Sequence, residues 1–301
     1  MSSPIKNVMI IGASGSIGPA VISSLLANNF AVSVLTRESS SSTFPSDITV
    51  HCTDYSPTSL IKAFQGQDAI ISAIATMSTS LQSSIVDAAV TAGVKRFIPS
   101  EYGIDTSIPE VETLVPLTKG KRDTIAHLRT KEKEGLSWTA ICVGSFFDWT
   151  FALPRVQGWN LPERKALIFD GGIYEYEATN IEQIGRAVAA VLLPGHLEET
   201  ENKYVYVNSF TVSQTQVLNA LEKATGEKFE VEHAKVEELV RLKWEGLGLK
   251  GGWFGSEEIT AALYGNGNVN NFSKKGLLND RLGLPKEDLE ETLKRVLEKK
   301  A

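Results

Sequence analysis

The sequence predicts an α/β fold built on a doubly wound parallel sheet. In the first 150 residues, apolar runs of strand length alternate with longer amphipathic segments. Several of these runs, such as residues 69–74, lack the polar alternation of a half-exposed strand, which is typical of parallel strands covered by helices on both faces. Parallel strands need a long crossover connection, and the amphipathic segments can supply it as helices.

The apolar runs predict six strands in this part of the chain, at residues 7–11, 31–35, 48–52, 69–74, 96–99 and 138–143. Amphipathic periodicity predicts the helices between them, near residues 17–28, 57–65, 80–92 and 120–134. We expect these elements to form one domain that ends near residue 150.

The second half of the chain, residues 151–301, predicts a smaller α+β domain. The segment ALIFDGGIYEYEA predicts a β-hairpin around Gly171 and Gly172. Ser213 and Gln216 have the spacing of a capping box, which predicts that a helix begins there. The other elements expected are strands at 204–207 and 229–233 and helices at 180–193, 213–225, 235–246, 256–264 and 285–299. One strand or helix of this part can return to the first sheet.

The composition argues against several classes of function. The chain has 301 residues and a formal net charge of −6, so it lacks the basic surface that non-specific nucleic-acid binding or a polybasic membrane anchor requires. Its most apolar helical run, residues 187–193, is too short to span a bilayer. The first strand begins almost at once, which leaves no room for a signal peptide, and we expect a cytoplasmic protein.

The cysteines and histidines predict neither a disulfide nor a metal site. Cys52 and Cys142 are the two cysteines, and both lie in apolar runs, where we expect buried thiols. The four histidines are scattered along the chain, and no Cys/His spacing resembles a set of metal ligands.

A glycine-rich loop follows the first predicted strand. Gly12, Gly15 and Gly18 stand in VMIIGASGSIG, after the strand and at the start of the first helix. Glycines allow a tight turn there and let backbone N–H groups approach a pyrophosphate at the positive end of the helix. The loop therefore predicts that residues 1–150 form a dinucleotide-binding Rossmann domain. The loop residues expected to contact the cofactor are Gly12, Ser14, Gly15, Ser16, Ile17 and Gly18.

Arg37 lies at the end of the second predicted strand, where a Rossmann fold places the residue that recognises the ribose. An Asp or Glu at this position binds the 2′-hydroxyl of NAD, whereas a guanidinium group binds a 2′-phosphate through a bidentate fork. The serines that follow Arg37 can add hydrogen-bond donors. The sequence therefore predicts NADPH/NADP⁺ as the cofactor.

Four stretches of the sequence resemble one family: IIGASGSIG, AGVKRFIPSEYG, LSWTAICVGSFFDW and YVYVNSFTVSQTQVLNALEKATG. Together they resemble, over nearly the whole chain, the NmrA-like, isoflavone-reductase-like branch of the atypical short-chain dehydrogenases, and its fungal members above all. The resemblance implies a Rossmann domain, a smaller C-terminal substrate domain and a cleft between them. It also implies NADPH as the hydride donor and a catalytic lysine beside the nicotinamide.

The resemblance implies that this lysine begins a helix with the pattern K-x-x-x-x-x-x-L. The segment KGKRDTIAHL offers two candidates, Lys119 and Lys121. Lys121 is favoured because Leu128 then lies at the matching position on the same helix face. The longer helix end RTKEKEG keeps Lys119 open as the alternative.

Further cofactor contacts follow from position and from the resemblance. Ala75 and Thr76 end a strand at the carboxyl edge of the sheet, where ligands bind in such folds. The family pattern implies three more contacts, from Gln82, Ser145 and Phe146.

Aromatic side chains are expected to line the substrate pocket. The candidates are Tyr102, Phe147, Trp149, Trp253 and Phe254. The glycine-rich residues 246–258 predict a flap over the substrate, and Glu101 is expected to make a structural hydrogen bond.

These features predict an NADPH-dependent reductase of a small aromatic or polyketide-like metabolite, with Lys121 as general acid or base. The Tyr-x-x-x-Lys pair of the common short-chain dehydrogenases is absent, because no tyrosine is followed by a lysine four residues later. Two alternatives stay open: a dinucleotide sensor that binds a protein partner without catalysis, and a non-redox cyclase or isomerase on the same fold. We expect a small-molecule substrate and no nucleic-acid or membrane partner, and both a monomer and a homodimer stay open.

Overall fold

The structure is a computed structural model and describes residues 4–152, 157–244, 257–265 and 269–299. The strands are β1 (Asn7–Ile11), β2 (Ala31–Arg37), β3 (Thr49–Thr53), β4 (Ala69–Ser72), β5 (Arg96–Ile98), β6 (Ser137–Cys142), β7 (Ser145–Phe146), β8 (Trp159–Asn160), β9 (Lys165–Phe169), β10 (Glu175–Thr179), β11 (Lys203–Tyr206), β12 (Phe210–Ser213) and β13 (Glu230–Ala234). The helices are α1 (Gly18–Ala27), α2 (Pro57–Phe64), α3 (Gln82–Thr91), α4 (Pro109–Leu114), α5 (Lys119–Lys131), α6 (Phe147–Thr150), α7 (Ile181–Ala190), α8 (Gln214–Thr225), α9 (Val236–Trp244), α10 (Glu257–Tyr264) and α11 (Leu289–Glu298). None of the helices in these ranges is both long and apolar enough to cross a membrane.

Seven strands form one parallel sheet in the order β11-β6-β5-β4-β1-β2-β3. The order reverses at β1, which pairs with β2 on one side and with β4 on the other. This arrangement confirms the predicted α/β class and its doubly wound sheet. Open α/β sheets bind ligands at the carboxyl ends of the strands beside such a reversal. Strand β11 joins this sheet from the second half of the chain, and the domain boundary at residue 150 stays a prediction.

The sheet is buried on both faces, as the continuous apolar runs predict. In β1, Val8 and Ile10 pack into the core shared with α1 and α7, whereas Met9 and Ile11 pack into the core on the other face, with α2, α3 and α5. All four side chains are fully buried. Alternate side chains of a strand point to opposite faces, so each core requires its own set of apolar residues.

A third core, rich in aromatic residues, lies between two small sheets of order β12-β10-β7 and β13-β9-β8. In this core the Phe169 ring stacks on Tyr264 with ring centroids 5.8 Å apart, and Tyr176 meets the same ring edge-on at 5.0 Å. The contact between these rings joins one strand of each small sheet to α10. Aromatic pairs of this kind contribute beyond the area that they bury.

The predicted hairpin around Gly171 and Gly172 is wrong. The strands on either side of these glycines, β9 and β10, belong to different sheets: β9 pairs with β8 and β13, and β10 pairs with β7 and β12. Gly171 and Gly172 do form a turn, with φ angles of 80° and 68°. The local sequence specifies a turn, but the partner of each strand is decided by segments distant in the sequence.

The prediction of two buried thiols is correct for Cys142 and wrong for Cys52. Both cysteines are free, and Cys52 is exposed. Cys52 lies on β3, which is the last strand of the large sheet and exposes Thr49, Val50 and Cys52. An edge strand has neighbours on one side only, so an apolar run there does not ensure burial.

Helices α1 and α7 pack closely because Gly185 carries no side chain. A Cβ atom at Gly185 would overlap the backbone carbonyl oxygen of Ala20 and lie 2.9 Å from Oγ of Ser24. Since a backbone carbonyl in a helix cannot rotate away, a larger residue at this position forces the two helices apart.

We expect Gly185→Ala to lower the free energy of unfolding by about 1–2 kcal/mol, because the cost of overpacking exceeds the roughly 1 kcal/mol that alanine gains in helix propensity. Urea unfolding at equilibrium measures this difference. Gly195→Ala is the matched control, since a Cβ atom there meets no atom within 4 Å. Equal stability of the two variants would contradict the close packing of α1 on α7.

Candidate functional site

The glycine loop forms the tight turn that the sequence predicts. The N–H of Gly15 donates to the carbonyl of Gly12 at 2.9 Å, and the N–H of Gly18 donates to that of Gly15 at 3.1 Å. Gly12 has a φ of 80°, and a Cβ atom there would lie 2.5 Å from the carbonyl oxygen of Ala73, just beyond β4. A Cβ atom at Gly18 would overlap the carbonyl oxygen of Ala13. The loop therefore lies directly against the end of β4, with no room for side chains at these positions.

The loop presents its backbone to solvent at the start of α1. Ser14, Gly15 and Ser16 are exposed, whereas Ile17 is buried and directly precedes the helix. No side chain caps the N-terminus of α1. The N–H of Gly18 is already bonded to Gly15 and Pro19 has none, whereas the N–H groups of Ser16 and Ile17 have no acceptor among the described residues. These two groups lie at the end where the helix dipole favours negative charge. This geometry suits an anion such as a pyrophosphate.

Arg37 is the last residue of β2 and lies at the same edge of the sheet as the loop, because β1 and β2 pair in parallel. Its side chain is exposed, and no carboxylate among the described residues forms an ion pair with it. Burial raises the pKa of the nearby Tyr55, and the positive charge of Arg37 opposes that shift. Arg37 is thus a guanidinium group without an internal counter-ion beside the loop.

Of the two candidate lysines, Lys121 lies in the interior and Lys119 at the surface. Lys121 is 7% exposed and shares the buried face of α5 with Leu128. Its Nζ atom donates to the backbone carbonyl of Glu101 at 2.6 Å. The side chain of Lys119 is 71% exposed and pairs with Asp123 on the same helix at 2.6 Å.

Lys121 and Glu101 shift each other's pKa. Burial lowers the pKa of Lys121, and the negative charge of Glu101 opposes that shift. Burial also raises the pKa of Glu101 to about 7, against the opposing charge of Lys121. Desolvation disfavours the charged form of each group, which is why an acid and a base move in opposite directions.

A chain of contacts connects the glycine loop to Lys121. Gly12 lies against Ala73, the next residue Ile74 accepts a hydrogen bond from Ser100 Oγ at 2.7 Å, and Lys121 binds the carbonyl of the neighbouring Glu101. The ends of β1, β4 and β5 therefore meet at the place where α5 inserts its lysine. Strands far apart in the sequence contribute to one edge because they all run in the same direction.

The residues after β4 differ in the exposure and the hydrogen bonds of their side chains. Ala75 is exposed, and Thr76 is half-buried at the start of a 3₁₀ helix, Thr76–Leu81. Gln82 is fully buried: its Oε1 atom accepts from the Ser100 N–H at 2.9 Å, and its Nε2 atom donates to Thr124 Oγ1 at 3.1 Å. Gln82 therefore holds the segment after β5 against α5, and its predicted cofactor contact stays a prediction.

Gly144 has to be a glycine, since its φ is 67° and a Cβ atom would overlap the carbonyl oxygen of Glu177. The next residue, Ser145, is buried, and its hydroxyl group donates to Gln157 Oε1 at 2.8 Å. Phe146 is half-buried against the core that contains α1. The side chain of Ser145 is thus engaged within the protein, whereas Phe146 keeps an exposed fraction.

The predicted pocket aromatics lie in different surroundings. Phe147 is buried in the third core, with ring centroids 5.2 Å from Phe151 and 5.0 Å from Phe210. Tyr102 is also buried, and its hydroxyl group has no hydrogen-bond partner among the described residues. Trp149 is 39% exposed. Trp253, Phe254 and most of the predicted flap lie outside the described residues.

Ser16 of the glycine loop and Trp149 line one groove. The groove has a volume of about 1100 Å³ and follows α1 from Ser16 to Asn28, beside residues of α7 and α11, and Lys121 and Arg37 do not line it. Two apolar side chains near the end of β4 are also exposed, Met77 at 85% and Leu81 at 41%. The surface around the carboxyl edge of the sheet thus offers apolar contact area as well as an anion site.

Residues 4–296 match the family model described as "NmrA-like family". The chain belongs to the NmrA-like family. It is 36% identical over 299 residues to the oxidoreductase aprR of Aspergillus flavus, a match that covers 96% of this chain and 98% of that protein. The resemblance stated from the sequence motifs is therefore confirmed.

Two solved structures show that the NmrA-like chain has the fold of known reductases. A crystal structure of isoflavone reductase matches with a TM-score of 0.77 at 19% identity, covering 97% of this chain and 99% of that one. The binary complex of leucoanthocyanidin reductase from Vitis vinifera with NADPH matches with a TM-score of 0.76 at 21% identity, with the same coverage. At this level of identity the similarity establishes the Rossmann-type fold.

Glu101 makes the structural hydrogen bond that the sequence predicts, because its carboxyl group accepts from Thr106 Oγ1 at 2.8 Å. The sequence does not predict that the carbonyl of Glu101 also holds Lys121 or that its carboxyl group is fully buried. The position in PSEYG, directly after a strand, indicates the carboxyl edge of the sheet. No local pattern indicates that Lys121, twenty residues later on α5, donates to the carbonyl of this residue.

We expect Gln82→Leu to lower the free energy of unfolding by about 1–3 kcal/mol, since it leaves the buried N–H of Ser100 without its acceptor. Gln65→Leu is the matched control, because Gln65 is exposed at the end of α2. Urea unfolding of both variants measures the difference. Two variants of equal stability would show that Gln82 does not hold the segment after β5.

Proposed function

We propose that this protein is an NADPH-dependent reductase of a small aromatic or polyketide-like metabolite, with Lys121 as the general acid. The observation that carries the proposal is the buried Lys121, which is fixed by Glu101 at the edge of the sheet that also bears the glycine loop. Relatives named as oxidoreductases support this class of reaction.

The residues at the carboxyl edge fit NADPH. Gly12 and Gly18 leave no room for a Cβ atom and so allow the tight turn, and the N–H groups of Ser16 and Ile17 at the start of α1 can donate to a pyrophosphate. Arg37 has no ion-pair partner among the described residues and suits a 2′-phosphate. The complex of leucoanthocyanidin reductase with NADPH supports the same cofactor. When bound, NADPH would supply the hydride.

Lys121 acts on the acceptor as follows. When hydride adds to the carbon of a carbonyl or a conjugated alkene, the electron pair of the π bond moves toward oxygen, which becomes negatively charged. The ammonium group of Lys121 gives one proton to that oxygen and is left as a neutral amine. Burial lowers the pKa of Lys121, which makes it a stronger acid than a surface lysine. Solvent then restores the proton before the next turnover.

The surface beside the carboxyl edge favours an aromatic substrate. Met77 and Leu81 expose apolar area near the end of β4, and Trp149 lines a groove that also reaches Ser16 of the glycine loop. Flat apolar side chains bind planar rings through stacking and dispersion. The names isoflavone reductase and leucoanthocyanidin reductase of the structural relatives support an aromatic class.

We expect Lys121→Met to lower kcat by about 10²- to 10⁴-fold, because the site loses its proton donor. Steady-state oxidation of NADPH with a reducible aromatic ketone or enone measures this change. Lys119→Met is the matched control on the same helix and should keep full activity, since Lys119 is exposed. Unchanged turnover in Lys121→Met would contradict the role assigned to Lys121. Tight binding of the nucleotide by the wild-type protein without turnover of any substrate would favour the dinucleotide sensor.

We expect Arg37→Gln to weaken NADPH binding by about 10- to 100-fold, because the 2′-phosphate loses its charge-assisted hydrogen bonds. Calorimetric titration of the purified protein measures the dissociation constants. NADH is the internal control: it lacks the 2′-phosphate, so its affinity should be the same in both proteins. An equal loss for NADH and NADPH would mean that Arg37 does not recognise the phosphate.

A further inference from the structure

Four polar side chains form a cluster near the end of β5, here called the Glu101 cluster: the buried Glu101, Thr106 and Lys121 and the half-buried Tyr204. Glu101 is fully buried, and its Oε2 atom accepts a hydrogen bond from Thr106 Oγ1 at 2.8 Å. Thr106 Oγ1 lies 3.2 Å from the hydroxyl group of Tyr204. The other carboxyl oxygen, Oε1, is buried and has no hydrogen-bond partner among the described residues.

This environment stabilises neither state of the carboxyl group fully. A carboxylate can accept about four hydrogen bonds, but this one receives a single bond from Thr106. A neutral carboxyl group would need an acceptor for its own proton. The nearest compensation for a negative charge is the ammonium group of Lys121, whose Nζ atom is held by the carbonyl of the same residue.

The ammonium group of Lys121 depends on Glu101 in the same way. Its one hydrogen bond among the described residues goes to the carbonyl oxygen of Glu101, and no described carboxylate lies within ion-pair distance of it. An ammonium group buried without a counter-charge tends to lose its proton. The negative charge of Glu101 is the main charge that opposes this loss.

The other charged groups around Glu101 and Lys121 have partners of their own. Asp105 is held by Lys275 at 3.1 Å and by the hydroxyl group of Tyr206 at 2.9 Å. Arg122, on α5, donates to Thr118 at 2.8 Å. From β6 and β11 the pair is faced by two titratable groups, both with a pKa raised by burial: Cys142 and Tyr204.

We propose that Glu101 is a positioning residue for Lys121: its carbonyl fixes the Nζ atom, and its buried carboxylate keeps the amine protonated between turnovers. The inference rests on the proposed function of Lys121 as proton donor. After Lys121 has given its proton to the substrate, the carboxylate is left without its counter-charge in a buried site. The proton taken up from solvent therefore goes back to the pair, which titrates as a coupled unit.

The coupling is tested on the protein without cofactor or substrate, so its result does not depend on activity. Glutamate labelled with ¹³C at the side-chain carboxyl is followed by NMR between pH 5 and 9, and Glu101→Gln assigns the Glu101 signal by its disappearance. We expect a midpoint near pH 7, as burial implies. In Lys121→Met the midpoint should rise by about one pH unit or more, because the neighbouring positive charge is gone. Lys119→Met should leave the midpoint unchanged.

A carboxyl group that is fully ionised throughout this range, or a midpoint that is equal in wild type and Lys121→Met, would overturn the proposal. Lys121→Met keeps Glu101 in place, so this test stands even if Glu101→Gln does not fold. In that event the Glu101 signal is identified as the one that moves in Lys121→Met but not in Lys119→Met.

The pH dependence of kcat separates this proposal from the proposed function. Glu101→Gln keeps an oxygen that can accept from Thr106 but removes the charge, so the alkaline limb of the profile should move about one pH unit lower. In Glu101→Asp, which retains the charge, the alkaline limb should lie close to its wild-type position. If the NMR coupling is present but the alkaline limb stays in place, Lys121 is not the acid and the proposed function fails while the coupling stands.

Discussion

The parallel pairing of β1 with β2 on one side and with β4 on the other is the constraint on which the candidate site depends. Each of these strands ends at the same edge of the sheet, so the glycine loop, Arg37 and the segment from Ala75 all leave the sheet together. The close approach of Gly12 to Ala73 and the absence of a side chain at Gly185 hold α1 at the angle that points its N-terminus at this edge. A site for a large anionic cofactor follows from strand direction before any side chain is considered.

A buried carboxylate joins separate segments of the second half of the chain. Glu177 on β10 accepts hydrogen bonds from Asn208, Thr211 and the N–H of Phe272. Such a carboxylate is costly to bury and is stable only when its oxygens find donors. Two segments, residues 208–211 and the segment of Phe272, are thereby fastened to β10 beside Gly144. Structural carboxylates of this kind are well supplied with donors, in contrast to Glu101.

Helix α5 has a buried face, which carries the candidate catalytic residue Lys121, and an exposed basic face. Lys121, Thr124, Ile125 and Leu128 are its buried residues, spaced at three and four positions. A helix presents such residues on one face, so a basic sequence can expose most of its charges and still insert one lysine into the interior. The free energy that Leu128 and Ile125 contribute by burial offsets the cost of desolvating that lysine.

The sequence by itself determined the class of fold and the seven strands of the large sheet, because these depend on local periodicity and on short-range turns. The capping box of Ser213 and Gln216 begins α8 as its spacing predicts. The glycine loop turns where three glycines permit it. The K-x-x-x-x-x-x-L pattern that the family resemblance implies favours Lys121 over Lys119, because Leu128 then stands at the matching position.

Only the tertiary structure decided which strands pair and which side chains remain free to contact a cofactor or a substrate. The glycines at 171 and 172 make a turn, but β9 and β10 find partners elsewhere, since those partners lie far along the chain. Gln82 and Ser145 engage protein groups, and Phe147 joins a core assembled from remote segments. The burial of Glu101 near Lys121 also depends on segments that are distant in the sequence. It arises from the packing of α5 on β5 and β6, and the environment of a charge is set by whatever surrounds it in space.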